Sequence, residues 1–194
     1  MKKTWAGWGL FVLLLGLLLS LPLLGYLTKD GDYYGFKTDL PVPPLPGCEG
    51  GSERLRLVFF GYQGCGTVCP LQLGNLLELH RRLRGESVGF IFVTLDPERD
   101  SQRSLDATMR GLGAQFCAVR PASRVEAQRL AMGFSEYAGK IGSKEQYEFS
   151  HSARIHVVTA DNRRQLLYPS PELDLDRVQA DIHTLLSQSR EARP

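Results

Sequence analysis

Hydrophobic and polar positions fall into two regimes along this chain. Residues 4–27 carry no charge and are dominated by leucine. From residue 54 onward, short apolar runs alternate with stretches whose apolar residues recur every three or four positions. The runs read as buried strands and the recurring spacing as amphipathic helices. Residues 54–62 are a strand by this criterion, and 70–84 a helix with Leu73, Leu76, Leu77 and Leu83 on one face. Arg81, Arg82 and Arg84 lie at its C-terminal end, where cations suit the helix dipole, and Gly85 stops it. Residues 88–95 are a near-continuous apolar run, as expected of a central strand covered on both faces. Asp100 or Ser101 caps a helix reaching residue 110, residues 116–119 form a short strand, and Ser123 caps a third helix over 125–132. Residues 133–147 are polar and irregular and read as a surface loop. Residues 149–159 read as one strand with Ser150-His151-Ser152 near its start. Asp161-Asn162 marks a turn, and 165–168 is the returning arm of a hairpin. Residues 174–189 form an amphipathic helix with Leu175, Val178, Ile182, Leu185 and Leu186 facing inward.

The resulting order is β-α-β-α-β-α-β-β-α. Its alternating front predicts parallel strands joined by crossover helices, and the terminal hairpin makes the sheet mixed. The expected fold class is α/β, with a central mixed β-sheet flanked by helices.

The uncharged N-terminal stretch follows Met1-Lys2-Lys3. A run of about 20 apolar residues crosses a bilayer as a helix. Lysines ahead of it place the N-terminus in the cytoplasm and the rest of the chain outside. A cleaved signal peptide is the rival reading. However, no A-x-A-like site lies near residues 24–28, and the apolar run is longer than a usual signal core. We therefore expect a single N-terminal transmembrane helix, with the anchor over 1–28, a linker over 29–52 and the domain over 53–190. The linker reading rests on Pro41, Pro43, Pro44 and Pro46, followed by Gly47, Gly50 and Gly51. The domain then lies on the extracytoplasmic side (periplasmic or equivalent), where disulfides can form.

Charge and cysteine content narrow the classes. Lysine and arginine number 23 against 21 acidic residues, which gives no electrostatic case for nucleic acid. Four cysteines are too few for a disulfide scaffold but enough for one functional pair and one further bond. Cys48 reads as a free or structural thiol, and Cys117, in its short apolar strand, as a small hydrophobe. A Cys48–Cys117 disulfide is compatible with the sequence, which does not fix connectivity.

The chemistry concentrates where the first strand meets the first helix. There Phe60-Gly61-Tyr62 runs into Cys65-Gly66-Thr67-Val68-Cys69-Pro70. Proline is tolerated in the first helical turn, so Cys69 falls at the helix start and Cys65 on the loop before it. Free N–H groups and the positive end of the helix dipole favour a thiolate there. Residues four apart share a helical face, so the two sulfurs can close a disulfide or grip one soft metal ion. With an imidazole added, two thiolates suit copper as Cu(I) or Cu(II). His151 is the candidate for that imidazole, although a lone histidine is more often a satisfied core or surface residue. Asp96 could orient the thiol site, and Asp100 reads more simply as a cap. His80 reads as structural, His156 as sheet surface or core, and His183 falls off the inward stripe of its helix. A thiol pair at this junction also matches a thioredoxin-like fold.

From Arg54 through the C-terminal helix the chain resembles the Sco/SenC family. The resemblance rests on Phe60-Gly61-Tyr62, Cys65-Gly66-Thr67-Val68-Cys69-Pro70, Asp96-Pro97-Glu98-Arg99-Asp100 and Ser150-His151-Ser152. It implies a membrane-anchored, copper-binding protein that assists assembly of the copper centre of cytochrome c oxidase. Its metal ligands would be Cys65, Cys69 and His151. The implied partners are the copper-bearing oxidase subunit, the membrane, and a thiol reductant or another copper chaperone. The alternative is a thiol–disulfide oxidoreductase acting on partner cysteines through Cys65 and Cys69 as its catalytic redox pair. The chain departs from the family pattern at Gly64, Gly66 and Thr67, where a polar residue, proline and aspartate are usual. The hairpin before the first strand is shortened into the Pro-rich stretch, and Cys48 and Cys117 match no family position. These departures bear on metal affinity and redox potential more than on fold.

Overall fold

A computed structural model of the chain describes residues 33–48, 53–143 and 146–191, with scattered positions between 8 and 20. The expected membrane span lies largely outside the described residues. Among those residues no helix is long and apolar enough to cross a membrane. The described residues from Tyr33 onward form one compact unit.

Its elements run β1 (Phe36–Pro41), β2 (Leu55–Gly61), α1 (Val68–Arg82), β3 (Val88–Thr94), α2 (Gln102–Leu112), β4 (Phe116–Val119), α3 (Arg124–Gly133), β5 (Ala138–Gly142), β6 (Tyr147–His151), β7 (Ile155–Thr159), β8 (Arg163–Tyr168) and α4 (Leu175–Glu191). Six strands make one sheet in the order β1-β8-β7-β2-β3-β4. β2 and β3 are parallel, as are β3 and β4, while β7 and β8 return antiparallel. This is the expected α/β thioredoxin-like arrangement around a mixed sheet.

Every residue of β2 and β3 is buried. Alternate side chains enter two cores, because successive residues of a strand face opposite ways. Leu57, Phe59, Phe90 and Phe92 pack with α1, α2 and α4 on one face. Val58, Phe60, Ile91 and Val93 pack on the other with Val42, Leu45, Ala131 and Phe134. Strands covered on both faces lose the polar alternation of half-exposed ones, which is why they read as continuous apolar runs.

Ser101 caps α2 by accepting from the Ser104 N–H, and Ser123 caps α3 by accepting from the Glu126 N–H. Asp100 is therefore not the cap of α2. α1 buries Cys69, Gln72, Leu76 and Leu79 in its inward stripe, with Leu83 just past its end. Leu77 is only half-buried, so the stripe is rotated from the one expected.

Three stretches differ from the sequence reading. Residues 133–147 are not an irregular loop, because they contain β5, which pairs with β6 as a separate two-stranded sheet. The strand expected over 149–159 is two strands, with residues 152–154 between them belonging to neither. β7 stays in the main sheet beside β2, while β6 leaves to pair with β5. An apolar run records burial, and it does not record a change of partner.

The described part of the expected linker, residues 33–48, belongs to the folded unit. β1 pairs with β8 at one edge of the sheet, and Val42 and Leu45 enter the second core. Cys48 then joins Cys117 of β4, at the opposite edge, through a disulfide. The Cys48 thiol is thus not free, and Cys117 is more than a small hydrophobe. The segment is a strap across one sheet face. Its proline content is compatible with this because a strap needs few backbone donors.

Candidate metal centre

The site begins at the C-terminal end of β2. Gly61 ends that strand, and Tyr62 to Thr67 form the loop into α1. The Cys65 N–H closes a turn on the Tyr62 carbonyl at 3.1 Å. Cys69 lies in the first turn of α1, as Pro70 foretold. Both sulfurs are in reduced, buried cysteines. A β-carbon on Gly61 would stand 2.8 Å from the Cys69 sulfur and 3.0 Å from the Phe92 ring. Glycine is required here because the sulfur occupies the space of its side chain.

The third group arrives from the other end of the chain. His151 ends β6, and its Nε2 lies 3.6 Å from the Cys65 sulfur and 3.6 Å from the Cys69 sulfur. All three donor atoms lie within 4.8 Å of one another. Metal–nitrogen bonds of about 2.0 Å and metal–sulfur bonds of about 2.3 Å, at a near-tetrahedral angle, put nitrogen and sulfur ~3.5 Å apart. The residues present therefore fit one ion held between two sulfurs and a nitrogen. That donor set is soft, with one borderline ligand, and it suits copper or zinc.

The His151 ring has a defined setting. Its Nδ1 lies 3.0 Å from the Ser152 carbonyl, which only accepts, so Nδ1 carries a proton. Nε2 is left to face the sulfurs, where its lone pair can bind a metal. The rings of Tyr62 and Phe59 flank it at 5.8 and 6.3 Å.

The two thiols differ. Burial pushes the Cys65 thiol up, but hydrogen bonds from Cys69, from His151 and from the Thr67 and Cys69 backbone outweigh it and bring the value to about 6. Burial and the neighbouring Cys65 sulfur push Cys69 well above the ordinary thiol range. At neutral pH the pair therefore holds one negative charge, on Cys65. The helix N-terminus supplies the positive potential that favours it.

Acidic groups support the loop from behind. Asp100 is buried and accepts from the Gln63 N–H at 3.1 Å and from the Thr94 hydroxyl. Burial raises its carboxyl above the usual range, against the pull of the Thr94 and Gln63 hydrogen bonds. Asp96 accepts from the Tyr147 hydroxyl at 3.1 Å and pairs with Arg99. It thus ties the β3–α2 loop to β6 and makes no hydrogen bond to either sulfur.

Of the remaining histidines, His80 packs edge-on against Phe90 and Phe116. His156 is buried in the second core with Glu136 at 2.8 Å, and His183 is exposed. Sequence reasoning missed two residues that shape the site. Gln72 is fully buried in α1 and donates to the Ala153 carbonyl beside His151. Its signal was a polar residue inside the apolar stripe of that helix. Asp100 was credited with a helix cap it does not make.

Comparisons with known proteins bear on the family and the fold. The family model described as SCO1/SenC matches residues 51–187. The human mitochondrial SCO2 homolog is 26% identical over 111 residues, which is 54% of this chain and 41% of that protein. The chain thus matches less than half the length of that relative. Among solved structures, apo Sco1 from Thermus thermophilus superposes with a TM-score of 0.67 at 28% identity, covering 81% of this chain and 99% of that one. Copper-bound ScoI from Bradyrhizobium japonicum gives a TM-score of 0.61 at 22% identity, over 77% of this chain and 98% of the other, and speaks to fold alone. With the model matched over most of its length, the chain belongs to the SCO1/SenC family.

Proposed function

We propose that this protein binds one copper ion through Cys65, Cys69 and His151 and delivers it during assembly of the copper centre of cytochrome c oxidase. The observation that carries the reading is the convergence of His151 Nε2 on both sulfurs at 3.6 Å, across more than 80 residues of chain. Copper here is cargo. Two thiolates favour Cu(I), and the imidazole allows Cu(II) to be held as well. Membership of the SCO1/SenC family, whose resemblance implies copper binding, supports the choice of metal. The partner would be the copper-bearing oxidase subunit. The uncharged stretch over 4–27 would anchor the domain on the extracytoplasmic side of the membrane.

The test is copper binding by the purified full-length chain. Wild type should take up one equivalent of Cu(I) and of Cu(II). Cys65→Ser and Cys69→Ser should each lose both. Unchanged copper content in either variant would overturn the ligand assignment.

One observation favours a second reading, thiol–disulfide exchange. Cys65 is poised as a thiolate beside a protonated Cys69. The Cys65 thiolate would attack a partner disulfide and form a mixed disulfide, releasing one partner thiolate. Cys69 would then lose its proton and displace the second partner thiolate. The partner ends reduced, and Cys65 and Cys69 end as an intramolecular disulfide. An external thiol reductant would restore the pair. His151→Ala separates the readings: it should abolish tight Cu(II) binding and leave thiol exchange largely intact.

A further inference from the structure

We infer that Gln72 is the positioning residue that sets His151 against the thiol pair. The inference rests on the copper-site reading for its purpose, while the placement itself can be tested without metal.

His151 belongs to a hairpin that is not part of the main sheet. Among the described residues β5 and β6 pair only with each other, and the chain rejoins the main sheet at Ile155. Between them, residues 152–154 lie in no strand. Ahead of His151, β6 is held by the Tyr147–Asp96 bond and by the Phe149 N–H on the Tyr62 hydroxyl at 3.4 Å, and beyond His151 the segment needs a contact of its own. Gln72 provides it. It sits one turn past Cys69 on the buried stripe of α1 and has no exposed surface. Its Nε2 donates to the carbonyl of Ala153, two residues beyond His151.

The amide cannot turn away easily. Its Oε1 accepts from Asn75 Nδ2 at 2.8 Å, and the same Asn75 nitrogen lies 2.8 Å from the Pro171 carbonyl. Both ends of the Gln72 side chain are thus committed, one to the His151 segment and one to its own helix. Cys69 and the segment after His151 hang from a single turn of α1. A buried amide held at both ends keeps one orientation, since releasing either bond would strand a polar atom in the core.

The experiment uses the full-length chain, reduced and metal-free. It follows the ring-proton resonance of His151, which the nearby Tyr62 and Phe59 rings displace from the position of an exposed histidine. Gln72→Met keeps side-chain length and removes the donor. The expected result is that the His151 resonance moves toward that of exposed His183, while those of His80 and His156 stay. Val178→Ala, a core variant in α4, should lower the melting temperature and leave the His151 resonance in place. On copper-loaded protein, Gln72→Met should bind Cu(II) about tenfold more weakly, the low end of what loss of an outer contact to a metal site costs. An unmoved His151 resonance in Gln72→Met overturns the inference. If that variant does not fold, Asn75→Ala, which frees the Gln72 amide, should move the resonance in the same direction by a smaller amount, and no movement overturns the inference. Should wild type take up no copper, the metal reading fails, and the metal-free resonance still decides the role of Gln72.

Discussion

The Cys69 sulfur and Gly61 share one volume: a β-carbon on Gly61 would stand 2.8 Å from that sulfur. The end of β2 and the start of α1 can approach this closely only while residue 61 has no side chain. Gly61→Ala should therefore displace Cys69 or push β2 away from α1. Overpacking of this kind costs about 1–3 kcal/mol. The expected outcome is a lower thermal midpoint together with weaker copper binding. A variant that melts and binds like wild type would show that the helix start yields freely.

The unequal thiols predict a pH signature. Cys65 binds its proton with a pKa of about 6 in the folded chain, below its ordinary value of 9.0. Alkylation of reduced, metal-free protein should therefore modify Cys65 first, with a rate midpoint of about 6. Stability follows by linkage. Between the folded and unfolded values the unfolded chain binds more protons at Cys65, so stability rises with pH. It is lost as pH falls through the folded value. Cys69 works the other way, because its raised value keeps a proton that the unfolded chain gives up, so stability falls again in the alkaline range. Denaturant melts across pH should show the acid-side slope in wild type and a much flatter one in Cys65→Ser.

The Cys48–Cys117 disulfide joins residues 69 apart in sequence. It fastens the strap to the sheet edge opposite β1. A loop of that size constrains the unfolded chain, and removing such a bond costs on the order of 2–4 kcal/mol. Cys48→Ser with Cys117→Ser should lower the unfolding free energy, measured by denaturant melts, by that amount. Copper stoichiometry should stay unchanged, because Cys48 packs against the second core while Cys65 and Cys69 lie in the first. Loss of copper in this double variant would tie the strap to the site.

Asp181 anchors the entry to the domain. Its carboxylate accepts from the Gly35 N–H at 2.8 Å, the Tyr34 N–H at 3.0 Å and the Tyr168 hydroxyl at 2.9 Å. Burial first, then this carboxylate, pushes the Tyr168 hydroxyl far above its ordinary range. Asp181→Ala would leave three donors without their acceptor, at a cost of about 3 kcal/mol. We expect a large drop in melting temperature and faster hydrogen exchange at the start of β1. A stability within 1 kcal/mol of wild type, roughly the worth of one ordinary hydrogen bond, would contradict the anchoring role.

Much of the site was legible in the sequence. Cys65 and Cys69 could be placed because their signals are local: an apolar run, a glycine-bearing loop, a proline that only the first helical turn tolerates, then an apolar stripe. The helix cap at Ser123 was legible for the same reason, while the cap of α2 was narrowed only to Asp100 or Ser101. The hairpin was not, because residues 138–142 alternate weakly and β6 changes partner inside an apolar run. The strap was masked by its prolines, which suggest a linker whether or not Val42 and Leu45 find a core.

The sequence by itself determined the α/β order, the thiol pair at the strand–helix junction, and through its motifs the resemblance that singled out His151. Each of these depends on neighbours a few positions apart. Tertiary structure alone decided that His151 reaches both sulfurs, that Gln72 ties its segment to the helix of Cys69, and that Cys48 meets Cys117. The reason is physical. Cys69 and His151 lie 82 residues apart. Their distance is fixed by where β6 leaves the sheet and by which buried amide holds the residues after it, and a pattern of apolar and polar positions encodes neither.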